Sequence, residues 1–187
     1  MARFMVSALF VATSVFAAAT ISAPAAQAQS KEVVFTLTSS DFTDGGVISP
    51  QFTCDKDGQS PPLHWANVPE HVKTYALTAT DPDAPNGVFT HWVVYNIPDN
   101  TRDLAAGDNT KPDLGIKAAQ GVNSAGKPGW TPPCPPSGEH HYVFLVYALD
   151  TDISLAGATL DKKAFDAAIE GHVLAQAELT GRYARHK

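Results

Sequence analysis

Two short apolar runs joined by a proline-bearing loop constrain the fold of this chain most strongly. Tyr75 to Thr80 and His91 to Ile97 are rich in β-branched and aromatic residues, and Pro and Gly punctuate the loop between them. Such runs are typical of neighbouring antiparallel strands, which bring the two ends of the connecting loop close together. Facing positions on paired strands are about 5 Å apart, so Asp81 and Asp83 are expected near His91. The sequence therefore predicts two carboxylates and an imidazole at one end of a sheet.

Further strands are predicted on both sides of this hairpin. Val33 to Thr38 alternates as a strand, and Pro61-Pro62 leads into a short edge element ending near Trp65, because proline cannot donate to a ladder. His140 to Asp150 is apolar on both alternating faces, which indicates a strand buried on both sides.

Helical patterns follow only after this last strand. Thr159 or Asp161 is a candidate cap for one helix, and Gly171 interrupts the pattern. Val173 to Leu179 is expected to form a second short helix. Strands first and helices last favour a mainly β fold, an antiparallel β-sandwich with two short C-terminal helices.

The N-terminal segment, residues 1–28, is interpreted as a secretory signal peptide. Arg3 supplies a positive start, an uncharged apolar run covers Met5 to Ala19, and Ala26-Gln27-Ala28 has the small-x-small pattern of a cleavage site. A membrane anchor is the alternative, but the apolar part is shorter than the roughly 20 residues that a spanning helix needs. We therefore expect a periplasmic or secreted single domain, residues 29–187, with no transmembrane segment.

The charge balance of the chain restricts the kinds of binding partner that we expect. Lys and Arg number 13 against 19 Asp and Glu, which gives a formal net charge of −6. An acidic chain is not expected to bind nucleic acid or an anionic membrane surface non-specifically. A local anion site is still compatible with this charge, since backbone N–H groups and histidines can form one.

The two cysteines, Cys54 and Cys134, lie in loops rich in Pro and Gly. An even count in an exported chain favours a disulfide between them, and two free buried thiols are the alternative.

A second group of unusual residues surrounds the start of the last predicted strand. A proline-rich loop ends at Gly138, and His140 and Tyr142 share one face of the strand because side chains alternate. Two imidazoles, a phenol and the backbone donors near Gly138 could cradle a phosphate or carboxylate. The aspartates are expected to hold His91 or His140 in a donating, partly charged form, or to accept from loop N–H groups. Each of these residues also has an ordinary structural interpretation, as a core histidine or a turn-forming aspartate.

The motifs that carry these residues resemble those of the phosphatidylethanolamine-binding protein family, in its bacterial Raf-kinase-inhibitor-like branch. They read D-P-D-A-P…H-W-V-V-Y-N-I-P and P-C-P-P-S-G-E-H-H-Y-V-F-L-V-Y-A-L-D. The segments C-D-K-D-G-Q-S-P-P-L-H-W and E-G-H-V-L-A-Q-A-E-L-T-G-R-Y are also similar to that branch. The resemblance spans nearly all of residues 29–187.

This resemblance implies a sandwich of two antiparallel sheets and a small pocket for phosphate or phosphorylated head groups. The family's pocket residues fall on Asp81, Asp83, Pro85, His91, Pro135, Pro136, His140 and Tyr142. One departure is visible at the rim, where Thr131-Pro132-Pro133 replaces the usual glycine. The resemblance also suggests an inhibitor-like role toward a kinase or protease, with the protein target unknown.

Three functional hypotheses follow. The first is a binding module for a small phosphorylated ligand or lipid head group, without a cofactor. The second is a hydrolase in which Asp81 or Asp83 orients His91 as a general base on a phosphoester or ester. No nucleophile motif supports the second, since Ser137 lacks the G-x-S-x-G context. The third is a metal site, but His140 and His141 point to opposite faces of a strand, which leaves it short of ligands.

Overall fold

The computed structural model describes residues 34–110, 114–154 and 159–185. The predicted signal peptide, residues 1–28, and its cleavage site lie outside the described residues. The elements in chain order are strands β1 (Thr36–Thr38), β2 (Gly46–Val47), β3 (Leu63–Ala66), β4 (Thr74–Asp81), β5 (Phe89–Pro98), β6 (Asp103–Leu104), β7 (Ala119–Gln120) and β8 (Glu139–Leu149), helix α1 (Lys162–Ile169) and strand β9 (Val173–Ala184). Short 3-10 turns occur at Pro50–Phe52 and Asp108–Thr110.

The strands form two sheets. A three-stranded sheet has the order β1-β3-β6, and a six-stranded sheet has the order β2-β9-β8-β4-β5-β7. Strand β2 runs parallel to β9, and the other pairings of named strands are antiparallel. The predicted mainly β, antiparallel sandwich is confirmed.

The main core lies between the two sheets. Trp65 on β3 and Leu77 on β4 belong to one buried cluster together with Phe144 on β8. Alternation of side chains along each strand places these apolar residues on the inner face and turns their chain neighbours to the opposite face.

Helix α1 covers the opposite face of the larger sheet. The Asp161 carboxylate accepts a hydrogen bond from the Ala164 backbone N–H at 2.8 Å, so it caps the helix as one of the two predicted candidates. Phe165 and Ile169 are buried against the outer-face cluster that contains Val93. The fold therefore has a third layer over the sheet that carries the hairpin.

The predicted second helix at Val173 to Leu179 is wrong, because this segment is the first part of β9. The strand pairs with β8 from Glu139↔Ala184 to Leu149↔Val173. Its burial alternates, with Ala177 and Leu179 buried and Glu178 exposed between them. Pairing along the whole of β8 satisfies more backbone groups and buries more apolar surface than an isolated helical turn would, and it overrides the helix-forming tendency of Ala, Gln, Glu and Leu.

The segment after Pro61-Pro62 is also placed differently from the prediction. Strand β3 is the central strand of its sheet, between β1 and β6, and not an edge element. The two prolines precede the first paired residue, Leu63, so their missing N–H groups cost the ladder no hydrogen bond.

Strand β5 contains two irregularities in its pairing with β4, and the one at His91 matters for the site. Ala79 faces Trp92 but the next residue, Thr80, faces Thr90, so His91 is an extra residue in the pairing with β4. A bulge of this kind shifts the alternation of side chains by one residue. The His91 and Trp92 rings accordingly both lie against Trp130, with ring centroids 6.0 and 5.7 Å from it.

The predicted disulfide is present. Cys54 and Cys134 are bonded, with their Cα atoms 5.4 Å apart and a sequence separation of 80. The Cys54 N–H also donates to the Pro133 carbonyl at 3.0 Å. Cross-linking a loop of this length contributes roughly 3–5 kcal/mol to stability.

Within the described part of the chain, no helix is both long and apolar enough to cross a membrane.

Replacing Val94 by Ala should separate packing from ligand contact. Val94 is fully buried in the core between the sheets, so the truncation should lower the free energy of unfolding by about 1–3 kcal/mol. Denaturant unfolding measures this loss. The affinity for phosphate should stay within about twofold of wild type, and a parallel loss of affinity would show that Val94 supports the site directly.

Candidate functional site

Three central strands of the larger sheet end at one cleft. Asp81 is the last residue of β4, and His91 and His140 lie near the starts of β5 and β8. Antiparallel neighbours bring these ends to the same edge, and the loops 82–88 and 131–136 close over them. The resulting space of about 160 Å³, called here the histidine cleft, is lined by Asp81, Ala84, Pro85, Phe89, His91, Thr131, Pro132, Cys134, Pro135, Pro136 and His140.

A buried hydrogen bond fixes His140. Its Nδ1 lies 2.7 Å from Oδ2 of Asp81, and the two side chains are only 8% and 6% exposed. Because an ionised carboxylate only accepts, Nδ1 carries the proton. Nε2 is then the polar atom of the ring that remains for a ligand. The expectation that an aspartate orients His91 or His140 is met by Asp81 and His140.

His91 is fixed by a backbone carbonyl instead of a carboxylate. Its Nδ1 donates to the Thr131 carbonyl at 2.6 Å, and its ring packs against Phe89 with centroids 4.7 Å apart. Its Nε2 is buried and has no hydrogen-bond partner among the described residues. Burial lowers the pKa of His91 below its ordinary value, although the Thr131 carbonyl and the Asp81 charge act in the opposite direction. The Asp81 charge acts toward the charged ring, as expected, but removal from water outweighs it and the net change in the pKa is downward.

Tyr142 lies behind His91 on the inner face of β8. The two rings meet edge to face with centroids 5.2 Å apart, and the Tyr142 hydroxyl is buried without a partner among the described residues. Burial raises the pKa of Tyr142 far above its ordinary value, and the Asp81 and Asp83 carboxylates add to this effect. The side chain is therefore a neutral phenol that can donate a hydrogen bond.

Asp83 braces the loop from outside the cleft. Its Oδ2 accepts from the backbone N–H of His141 at 2.8 Å and lies 2.7 Å from the Nδ1 atom of the same residue. The backbone N–H bond is the main reason that the pKa of Asp83 is lowered. The Asp81 carboxylate accepts a hydrogen bond from the Asp83 N–H at 2.8 Å. Hydrogen bonds therefore hold the turn at Asp81 and at Asp83.

The structure brings together six of the nine predicted ligand-binding residues in the lining of the cleft: Asp81, Pro85, His91, Pro135, Pro136 and His140. Asp83, Gly138 and Tyr142 are not in the lining, and their part in binding stays a prediction. Gly138 is exposed, with φ +72°.

Five lining residues were not among the predicted ligand-binding residues, although the sequence had placed two of them, Thr131 and Pro132, at the rim: Ala84, Phe89, Thr131, Pro132 and Cys134. Phe89 could have been found, because it faces Asp81 across the hairpin. Thr131 anchors His91 through its backbone carbonyl, and a backbone contact leaves no signal in the residue type.

Among the described residues, no three His, Cys, Asp or Glu side chains are grouped so that they could hold a metal ion. His140 and His141 each direct Nδ1 to a different carboxylate.

The titration of His91 tests the burial argument. A midpoint below about 6.5 is expected when the ring resonances are followed by NMR across the pH range, and His91→Asn identifies the signal by its loss. The unfolded chain then binds this proton more readily than the folded one, so the contribution to stability is complete above about pH 6.5 and is lost as the pH falls. A midpoint above 6.5 would mean that the Asp81 charge dominates.

Comparisons with known proteins show which family the chain resembles. The phosphatidylethanolamine-binding protein family matches residues 38–184 of the chain. A UPF0098 protein from Methanothermobacter thermautotrophicus is 44% identical over 147 residues, which cover 77% of this chain and 95% of that protein. The crystal structure of CT736 from Chlamydia trachomatis, a phosphatidylethanolamine-binding protein homologue, matches with 38% identity and a TM-score of 0.76 over 82% of this chain and 99% of that one. YbcL from E. coli, a member of the mammalian family of such proteins, matches with 31% identity and a TM-score of 0.74 over 81% of this chain and 99% of that one. The chain therefore belongs to the phosphatidylethanolamine-binding protein family.

Proposed function

We propose that this protein binds a small anionic ligand, phosphate or a phosphorylated head group, in the histidine cleft. The observation that carries the proposal is the pair of buried imidazoles. His91 and His140 each have Nδ1 fixed by an acceptor, the Thr131 carbonyl and the Asp81 carboxylate. Nε2 is thus the polar ring atom that remains to meet a ligand in each case, and a ring that is protonated on binding can donate from Nε2–H to an oxygen of a phosphate group.

The family supports the chemical class of the ligand. Its name refers to phosphatidylethanolamine, whose head group carries a phosphate. Inhibition of a kinase or protease, which the resemblance suggests, stays a prediction that none of these contacts addresses.

A local positive charge strengthens anion binding by an acidic protein. Neutral His91 presents Nε2 as an acceptor, because Nδ1 holds the proton for Thr131. An arriving anion favours the protonated ring, which offers Nε2–H and a positive charge. Binding at this site should therefore be accompanied by proton uptake.

Export is the second part of the proposal. The segment 1–28 has the pattern of a cleaved signal peptide. The Cys54–Cys134 disulfide is suited to an oxidising compartment outside the cytoplasm.

Asparagine substitutions provide the sharpest test of the imidazoles. An Asn amide can replace the Nδ1 donor and so keep the bonds to Thr131 and Asp81, but it has no counterpart of Nε2. Calorimetric titration of residues 29–187 with inorganic phosphate should show about a ten- to hundredfold loss of affinity in His91→Asn and in His140→Asn, as expected for losing a hydrogen bond to a charged group.

His172→Asn is the matched control. His172 also directs Nδ1 to a carboxylate, that of Asp150 at 2.9 Å, but it is half-exposed and outside the cleft. Its variant should bind phosphate like wild type. Wild-type affinity in both cleft variants, with folding confirmed by circular dichroism, would contradict the proposal.

The affinity for an anion should change with pH in a definite direction. Sulfate stays doubly charged across the range in which histidine titrates, so its affinity reports the protein alone. The affinity should fall as the pH rises from about 5 to 8, because protonated His91 is lost. Since burial lowers the pKa of His91, the fall in the free protein should begin below about pH 6.5. His91→Asn should flatten this profile, and an unchanged slope in that variant would assign the charge to another group.

A hydrolase is the second candidate, and one observation favours it. The Asp81–His140 pair has the arrangement of a general base held by an orienting carboxylate. Turnover of p-nitrophenyl phosphate or p-nitrophenyl acetate that is abolished by His140→Asn would support this candidate. No turnover above that variant's background would reject it for these esters.

A further inference from the structure

A second cleft lies on the outer face of the larger sheet, beside helix α1. Its volume of about 520 Å³ is within the roughly 300–1,000 Å³ of typical small-molecule sites. This space, called here the helix cleft, is lined by Thr78, Thr80, Val88, Thr90, Leu145, Lys162, Lys163 and Asp166. None of these residues lines the histidine cleft.

The two clefts lie on opposite faces of the sheet. Asp81 pairs with Phe89, and both residues line the histidine cleft. Thr80 pairs with Thr90 one step along the same strands, and both line the helix cleft. Because consecutive residues of a strand face opposite sides, the helix cleft is a separate site and not an extension of the first.

The floor of the helix cleft begins where the apolar contact with α1 ends. Along the outer face of β4, Ala76 belongs to the buried cluster that contains Phe165, and the next two outward residues are Thr78 and Thr80. A threonine presents a methyl group beside a hydroxyl that both donates and accepts hydrogen bonds. Together with Leu145, these side chains form a floor that matches the alternating hydroxyl and C–H groups of a sugar ring.

Thr78 supplies the observation that points to a ligand. Its side chain is 1% exposed, and its hydroxyl has no hydrogen-bond partner among the described residues. A buried hydroxyl without a partner is costly, and valine has the same shape without this cost. Thr74, on the same face of β4, shows the usual arrangement, because its hydroxyl donates to the Thr151 carbonyl at 2.7 Å. Since Thr78 lines the helix cleft, a ligand bound there can supply the missing partner.

The wall formed by α1 carries an excess positive charge. The Lys162 Nζ atom lies 2.6 Å from both carboxylate oxygens of Asp166, so these two charges compensate each other. Lys163 is exposed and has no carboxylate partner among the described residues. Two lysines against one aspartate leave the lining with one positive charge, which suits a ligand with a single negative charge.

We infer that the helix cleft binds a sugar acid, a monosaccharide with one carboxylate group. The sugar hydroxyls contact the threonines of the floor, and the carboxylate faces Lys163. This inference goes beyond the proposed function and does not depend on it, since the two clefts share no lining residue.

Three ligands with a six-membered ring separate the charge from the hydroxyls. D-glucuronate carries both, D-glucose lacks the carboxylate, and cyclohexanecarboxylate lacks the hydroxyls. In NMR titrations that follow the threonine methyl signals, D-glucuronate should bind about threefold more tightly than D-glucose, because an exposed ion pair contributes little. It should bind about tenfold more tightly than cyclohexanecarboxylate, which cannot pair with the threonine hydroxyls. Equal affinities for the three, or no shift of the methyl signals with D-glucuronate, would overturn the inference.

Thr78→Val separates ligand binding from a structural role. Removing an unpartnered buried hydroxyl should leave the midpoint of denaturant unfolding unchanged or raise it, while the affinity for D-glucuronate falls about three- to tenfold. Thr74→Val is the matched control on the same strand. It removes a partnered hydroxyl, so its unfolding midpoint should fall and its affinity for D-glucuronate should stay at the wild-type value. Wild-type affinity in Thr78→Val would contradict the inference.

Lys163→Gln tests the position of the carboxylate. This variant should bind D-glucuronate and D-glucose equally, whereas Lys73→Gln, which removes an exposed lysine outside both clefts, should keep the preference for D-glucuronate. His91→Asn should weaken phosphate binding and leave the affinity for D-glucuronate unchanged. Loss of D-glucuronate binding in His91→Asn, with full binding in Lys163→Gln, would assign the sugar acid to the histidine cleft and overturn the helix cleft as its site.

Discussion

The hydrogen bond between Asp81 and His140 is the interaction on which the site depends most. A carboxylate removed from water is costly unless it is paired or hydrogen-bonded, and Asp81 receives both the His140 ring and the Asp83 N–H. Breaking a buried pair by removing one partner typically costs about 3–5 kcal/mol. One bond therefore holds the end of β4, the start of β8 and the first turn of the loop 82–88 in a single arrangement. The cleft is the space that this arrangement leaves.

The chemistry of the cleft could be predicted from the sequence much better than its geometry. The apolar runs with their proline-bearing loops identified the hairpin, and Asp81 does converge with His91 and His140 in the cleft. What could not be predicted is the bulge at His91, because it arises from how β5 pairs with β4. Strict alternation would place His91 and Trp92 on opposite faces. The bulge instead lets Trp92 fill the core while the adjacent histidine lines the cleft.

In the C-terminal segment, tertiary pairing overrides the structure that the local sequence predicts. Residues 173–179 are mostly good helix formers, and the local pattern predicts a helix. Strand β8 needs a partner on its second side, however, and β9 supplies one along its whole length. Only the alternation of small and large apolar residues at Ala177, Leu179, Gly181 and Tyr183 records this pairing in the sequence. Gly181 is required there, since a Cβ atom would lie 2.5 Å from the Ile48 side chain. This alternation can be recognised as a strand pattern only once the neighbouring strand is known.

The wall of the histidine cleft has a consequence for how a very small ligand can be held at all. Phosphate offers few contacts, so little free energy is available to order a loop around it. The wall contains Pro132, Pro135 and Pro136, whose rings fix φ, and Cys134 is bonded to Cys54. Its conformational entropy is therefore lost when the chain folds, before any ligand arrives. Binding then has to immobilise the ligand alone, and a pocket this small can be selective without closing a lid.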